Sequence, residues 1–252
     1  MKNVVFIVRD GFDAKYIYSR IINLKKKYNI TYILESGKKA RKKKFVRMFK
    51  SRINVFYTFL NMCALVIFDK IMLKGMKKIC ISGECPSINE SYHIEDVNDQ
   101  ECINICNGIS PDLIIIYGTG ILTAKTINCL NADIYNIHSS VLPYYRNVHS
   151  DFWAYMNEEY DKIGITIFKL NTGIDTGSIA KQMVCDMPAN SKLFEYKAQN
   201  LKNIVDVIPI FLDEYFNNRI TLQDQDSNSG STSYTPGTKD IIKLLKREIK
   251  SR

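Results

Sequence analysis

Five short apolar runs punctuate the first half of the chain: NVVFIV (3–8), ITYILE (30–35), KICIS (78–82), DLIIIYG (112–118) and DIYNIH (133–138). Each is nearly continuous rather than alternating, the pattern of a strand buried on both faces. Between them apolar residues recur at helical spacing over 13–28, near 40–75 and over 98–108. Strand and helix in alternation predict a Rossmann-like, doubly wound α/β fold with a mostly parallel sheet. After residue 150 the texture changes. DKIGITIFKLNTG and GSIAKQMVCDMP alternate, and the tight GIDTG turn between them predicts a C-terminal antiparallel hairpin. A helix near 191–217, a polar loop DQDSNSGSTS (224–233) and a last basic helix TKDIIKLLKREIK complete a helical tail. Residues 1–190 are expected to form one domain carrying a basic/apolar helical insertion at 38–75. Residues 191–252 extend that same domain.

At 252 residues, 46% apolar and 24% charged, the chain has the composition of an ordinary globular protein. The net charge of +9 is unevenly spread: Lys38, Lys39, Arg41, Lys42, Lys43, Lys44, Arg47, Lys50 and Arg52 crowd one segment, with no acid between Glu35 and Asp69. Such a cluster suits a phosphate, an acidic membrane surface or a nucleic acid, the alternative being a solvated helix face. The run INVFYTFLNMCALVIF that follows is too short and too rich in Asn and Thr to span a bilayer. It reads as a buried helix in preference to an interfacial anchor, although basic-then-apolar order keeps the anchor open. Seven cysteines, an odd number without zinc-ribbon spacing, point to a reducing, cytoplasmic setting. Cys102 and Cys106, four apart, read as two core thiols. The first apolar run is too short for a signal peptide and lacks a small-residue cleavage site.

Open α/β sheets bind ligands at the carboxyl ends of their strands. Two such ends here are polar: YGTGILT (117–123) and NIHSSVLPYYRN (136–147). Glycines in the first let backbone groups approach and read the edge of a flat heterocycle. In the second, Asn136 and His138 lie two apart on a strand and so point to one side. An amide beside an imidazole is what a developing oxyanion needs, the imidazole also moving a proton. Asp175, between Gly173 and Gly177, supplies a carboxylate able to orient that imidazole and accept a proton; ordinary turn chemistry is its alternative reading. No serine elbow, phosphate-binding loop, histidine pair or acid–histidine helix is present, so neither a nucleophilic serine nor a metal site is expected. The three groups suit acyl transfer through a tetrahedral intermediate without a covalent enzyme adduct.

NIHSSVLPYYRN followed by GITIFKLNTGIDTGSI resembles the family of formyltransferases that use 10-formyltetrahydrofolate. The signature of that family is Asn-x-His, x-Ser-x-Leu-Pro, Tyr-Arg-Gly and a later Asp-x-Gly. Asn136, His138, Ser140, Leu142, Pro143, Tyr145, Arg146, Asp175 and Gly177 fill those places, with Asn147 standing where the family has glycine. The run NVHSDFWAY resembles the sugar N-formyltransferase branch. No glycine-rich phosphate loop like that of the purine-pathway branch stands near RDGFD, and the tail after 190 looks too short and too helical for the tRNA-gripping domain of the tRNA branch.

The resemblance implies a catalytic domain over 1–190 that moves a formyl group from 10-formyltetrahydrofolate to the amine of an amino sugar, nucleotide-linked. Asn136, His138 and Asp175 would be catalytic. Thr119, Gly120, Ile121, Leu122 and the 171–175 loop with Ile174 would hold the folate pterin. Arg9 would sit near the substrate pyrophosphate, and Pro143 and Tyr145 would line the acceptor pocket. A homodimer is expected, with no metal and no nucleic acid partner; Lys38–Arg52 is the place for a phosphate or peripheral membrane contact. The alternatives are another amine acceptor, of the purine-precursor or methionyl-tRNA type, and a non-catalytic binder of folate or polyanions.

Overall fold

The computed structural model describes residues 1–39, 55–81, 87–226 and 229–250. Strands β1 (Lys2–Arg9), β2 (Tyr28–Glu35), β3 (Ser91–Ile94), β4 (Leu113–Tyr117), β5 (Asp133–His138), β7 (Gly164–Lys169) and β8 (Ile179–Val184) form one sheet in the order β3-β2-β1-β4-β5-β7-β8. The first five run parallel, β7 is antiparallel to β5, and β8 to β7. The expected mostly parallel sheet with its antiparallel hairpin is therefore the fold. Two short strands, β6 (Tyr145–Asn147) and β9 (Ser231–Ser233), pair separately.

The near-continuous apolar runs are explained by burial on both sides. Alternate residues of the central strands, such as Val4 and Phe6, Leu113 and Ile115, Tyr135 and Ile137, pack against helix α1 (Phe12–Ile21) and the long helix α6 (Leu193–Phe216). The residues between them, Val5 and Ile7, Ile114 and Ile116, Ile134, face helix α3 (Gln100–Ile109), where Cys102 and Cys106 are fully buried as core thiols. Burying one such branched side chain contributes roughly 1.5–3 kcal/mol over leaving it exposed. A third cluster, away from the sheet centre, joins α2 (Val55–Cys80), α5 (Ser150–Met156) and α7 (Thr238–Lys250) through Phe68, Met72, Phe152 and Leu244. Helix α4 (Ala124–Cys129) follows β4, its first turn capped by Thr123.

KICIS, expected as the third strand, is corrected: Lys78, Ile79 and Cys80 are the last turn of α2, and Ser82 lies outside the described residues. The spacing Phe68, Met72, Met76, Cys80 carries the buried face of that helix to its end, and a short apolar run does not distinguish this from a strand. The third strand is SYHI, a polar edge strand in which only Ile94 is buried. The helix expected over 13–28 stops at Ile21 and continues as a 3₁₀ turn, Ile22–Lys26. The tail helices match their expected spans, while part of the expected 224–233 loop is β9. Most of the Lys38–Arg52 cluster lies outside the described residues; Lys39, inside them, pairs with Asp99. Among the described residues no helix is long and apolar enough to cross a membrane.

Candidate active site

Between β1 and β4 the strand order reverses, and there the carboxyl ends of β1, β4 and β5 open into a cleft of about 440 Å³. Such a switch point is where an open sheet leaves room for a ligand. The row Ile134, Asn136, His138 on one face of β5 begins in the apolar layer and ends polar at this opening. Asn136 and His138 both line the cleft. Among the described residues the Asn136 amide has no hydrogen bond of its own, which leaves it to a ligand.

His138 is buried and held at both nitrogens. Its Nε2 lies 2.8 Å from the carbonyl oxygen of Tyr145, which also accepts from Ser140 Oγ at 2.7 Å. A carbonyl only accepts, so Nε2 carries a proton and Nδ1 faces the cleft. Nδ1 stands 3.5 Å from Asp175 Oδ2. The same oxygen accepts the backbone N–H of Asn147 at 2.7 Å. Asp175 and Asn147 both adopt left-handed backbone, φ 51° and 72°, and Asn tolerates this where most side chains do not. This accounts for asparagine standing at the family's glycine position. The turn itself requires glycine: a Cβ on Gly177 would sit 1.7 Å from the Lys169 carbonyl oxygen. Gln225 Nε2 clamps the turn from the polar tail, donating to Asp175 O at 3.0 Å and Gly177 O at 2.7 Å.

One wall of the cleft is the loop Gly118–Leu122 and the other the 170–175 loop, with the exposed side chains of Ile121 and Ile174 between them. Fully buried Glu35 props the first loop, accepting Gly120 N at 3.0 Å and Val97 N at 3.2 Å. Arg9 lines the cleft, but its guanidinium is engaged by Glu35 at 3.0 Å and by the Gly118 carbonyl at 3.3 Å. Its evident work is to hold the loop. Pro143 and Tyr145 are not among the cleft-lining residues. Tyr145 is buried, with its hydroxyl on Glu159 and Asn157 and its phenol pushed up to about 12 by burial.

The far end of the cleft holds polar residues that the sequence did not single out. Tyr117 donates to Asp13 at 3.4 Å, Lys197 pairs with Asp151, and Asn200 follows Lys197 by one helical turn. Met76 of α2 closes this end. Asn200 is buried, and among the described residues neither its amide nitrogen nor its oxygen has a partner. Leaving a buried amide unpaired costs about 1–3 kcal/mol, so a ligand that paired with it would recover that cost. Its one sequence signal is an Asn on the core-facing stripe Leu193, Tyr196, Ile204, Val207 of α6.

Burial pushes the Asp13 carboxyl up from its usual range, Lys197 pulling it partly back. A carboxyl whose pKa rises on folding destabilises the fold once ionised in both states, and does not below its unfolded value. Asp13→Asn therefore raises the melting temperature near neutral pH, and the gain disappears below pH 3.8. Thermal melts across pH measure this directly.

The sequence model of the formyl transferase family matches residues 1–208. The methionyl-tRNA formyltransferase of Thermotoga maritima is 24% identical over 183 residues, 72% of this chain and 57% of that protein. That of Chlorobium chlorochromatii is 34% identical over 91 residues, 36% of this chain and 29% of that one. The chain thus spans little more than half the length of these curated relatives, or less. Among solved structures, a 4-N formyltransferase from Francisella tularensis superposes with a TM-score of 0.59 at 20% identity, over 91% of this chain and 75% of that one. An N-formyltransferase from Helicobacter canadensis, in complex with folinic acid and dTDP-3-aminofucose, superposes with a TM-score of 0.59 at 15% identity, over 91% and 70%. At these identities the likeness is one of fold.

Proposed function

Since the chain belongs to the formyl transferase family, we propose that it moves a formyl group from 10-formyltetrahydrofolate to the amino group of a nucleotide-linked amino sugar. The observation that carries this reading is the meeting of Asn136, His138 and Asp175 in one cleft, from the end of a single strand and a distant turn. The cleft fits the folate. Ile121 and Ile174 offer apolar faces from opposite walls to a flat ring, and the propped Gly118–Leu122 backbone offers polar edges to its rim.

The bound folate supplies the formyl group on N10. Asn136 directs its amide N–H at the formyl oxygen, where negative charge develops as the amine attacks; one such donor is worth about 10²–10³ in rate. His138, its Nε2–H fixed by the Tyr145 carbonyl, turns the lone pair of Nδ1 toward the reacting centre, where it can take up and pass on a proton. Asp175, 3.5 Å from that nitrogen, takes the proton the amine gives up as the new C–N bond forms. The tetrahedral intermediate then collapses: the bond from the formyl carbon to N10 breaks, and N10 leaves with that proton, passed on through Nδ1 of His138. An amine must be unprotonated to attack, and amines on sugar rings, of lowered basicity, meet this more readily than a lysine-like amine.

The amino-sugar acceptor is favoured by the far end of the cleft. Asp13, the last residue of RDGFD, occupies the first turn of α1. A carboxylate there repels the phosphate that a purine-type acceptor would bring to that helix start. The unpaired Asn200 amide, which can both donate and accept, matches a sugar hydroxyl, which does the same. Solved neighbours include a sugar 3N-formyl transferase studied with dTDP and 5-N-formyl-THF. Asn200→Ala is expected to raise the KM for the acceptor about 10-fold or more while the KM for the folate stays unchanged; steady-state kinetics with each substrate varied separate the two.

The reading is tested by following tetrahydrofolate release with UDP-, dTDP- and GDP-linked amino sugars. Release that depends on one of these amines supports it. Release independent of any amine makes the protein a hydrolase, and no release makes it a binding protein; either result overturns the reading.

A further inference from the structure

Helix α2 carries a surface that the formyl-transfer reading leaves unused. Its buried face, Phe68, Met72, Met76 and Cys80, is packed into the protein. The opposite face exposes Phe59, Leu60, Val66, Ile67 and Ile71, each 44–59% accessible. These positions recur at helical spacing, and so does their continuation: Lys70, Lys74, Lys77 and Lys78 prolong the same face toward the helix C-terminus, all exposed. Asp69 is the single acid of the helix. Helix α7 lies alongside, joined to α2 by two hydrogen bonds from Thr238 to Asn61 Oδ1 at 2.9 and 2.7 Å. Its solvent side shows Lys239, Lys243 and Lys246 around exposed Ile242 and Ile249.

We propose that this face docks on an anionic lipid surface, with Phe59, Leu60 and Ile67 entering the headgroup boundary and the lysines pairing lipid phosphates. Charge decides the occupant. A second copy of the chain brought to this face would set Lys74 and Lys78 against its own lysines or against its apolar residues, and so desolvate them without a carboxylate to pair. An anionic bilayer pairs each lysine, at about 1 kcal/mol for each one near the surface, and takes up the apolar residues in the same contact. The helix lies on the bilayer and does not cross it, because its other face remains fixed in the protein core.

The test is co-sedimentation of the full chain with vesicles of phosphatidylcholine alone and with about 30% phosphatidylglycerol. The expected result is binding at least about 10-fold stronger to the anionic vesicles, lost at about 0.5 M salt. The pair Ile67→Glu with Ile71→Glu is expected to abolish it. The triple change Lys70→Gln, Lys74→Gln, Lys78→Gln is expected to remove the preference for anionic lipid. Circular dichroism and tetrahydrofolate release should be unchanged in both. Equal binding to neutral vesicles, or binding that survives in the Ile67→Glu, Ile71→Glu protein, overturns the proposal. So does a dimer seen by light scattering that dissociates in that variant, which would give the face to a second copy.

Discussion

Replacing His138 with alanine is expected to lower kcat for formyl transfer by about 10²–10⁴-fold, the usual worth of a positioned proton-transfer group. The change separates chemistry from folding unusually well. The one backbone group that His138 satisfies, the Tyr145 carbonyl, keeps the Ser140 hydroxyl as donor. The β5 backbone pairs with β4 and β7 without help from the side chain. The cleft walls are built from other residues, so the KM for the folate should stay close to that of the unaltered protein. Single-turnover kinetics with saturating folate measure the loss. A variant that keeps its turnover would remove His138 from the chemistry.

Asp175→Asn should cost a similar factor for a different reason. The amide oxygen of asparagine still accepts the Asn147 N–H, and Gln225 still clamps the turn through backbone carbonyls. What disappears is the negative charge 3.5 Å from Nδ1 and with it the proton acceptor. The loss should appear in kcat, about 10²-fold or more, with both KM values little changed. Asp175→Ala, which also strips the Asn147 N–H of its partner, should lose stability as well. A comparison of the two variants by thermal melt and by turnover distinguishes the charge from the turn.

The residues that could be read from the sequence share a property: their local pattern has few other uses. The central strands are legible because burial on both faces demands unbroken apolar runs, and Asn136 and His138 because two polar residues interrupt such a run at its end. Asp175 is legible from its flanking glycines. SYHI was hidden because an edge strand with one buried residue has no pattern to show, and KICIS misled because an apolar helix end looks like a strand over five residues. Glu35, Asp13, Tyr117, Lys197 and Gln225 come from five separate elements or loops, each in a place where its residue type is ordinary. Only the fold brings Asp13, Tyr117 and Lys197 to one cleft and sets Glu35 and Gln225 against its loops. Arg9 shows the converse: an arginine at a strand end suggested a ligand phosphate, yet a buried carboxylate on the neighbouring strand engages it.

The most direct test of the central claim is a crystal structure with 5-formyltetrahydrofolate bound. The account predicts the pterin between Ile121 and Ile174, the formyl group beside the His138 ring, and its carbonyl oxygen about 3 Å from the Asn136 amide. A folate seated elsewhere, or a formyl group turned away from all three side chains, would contradict it.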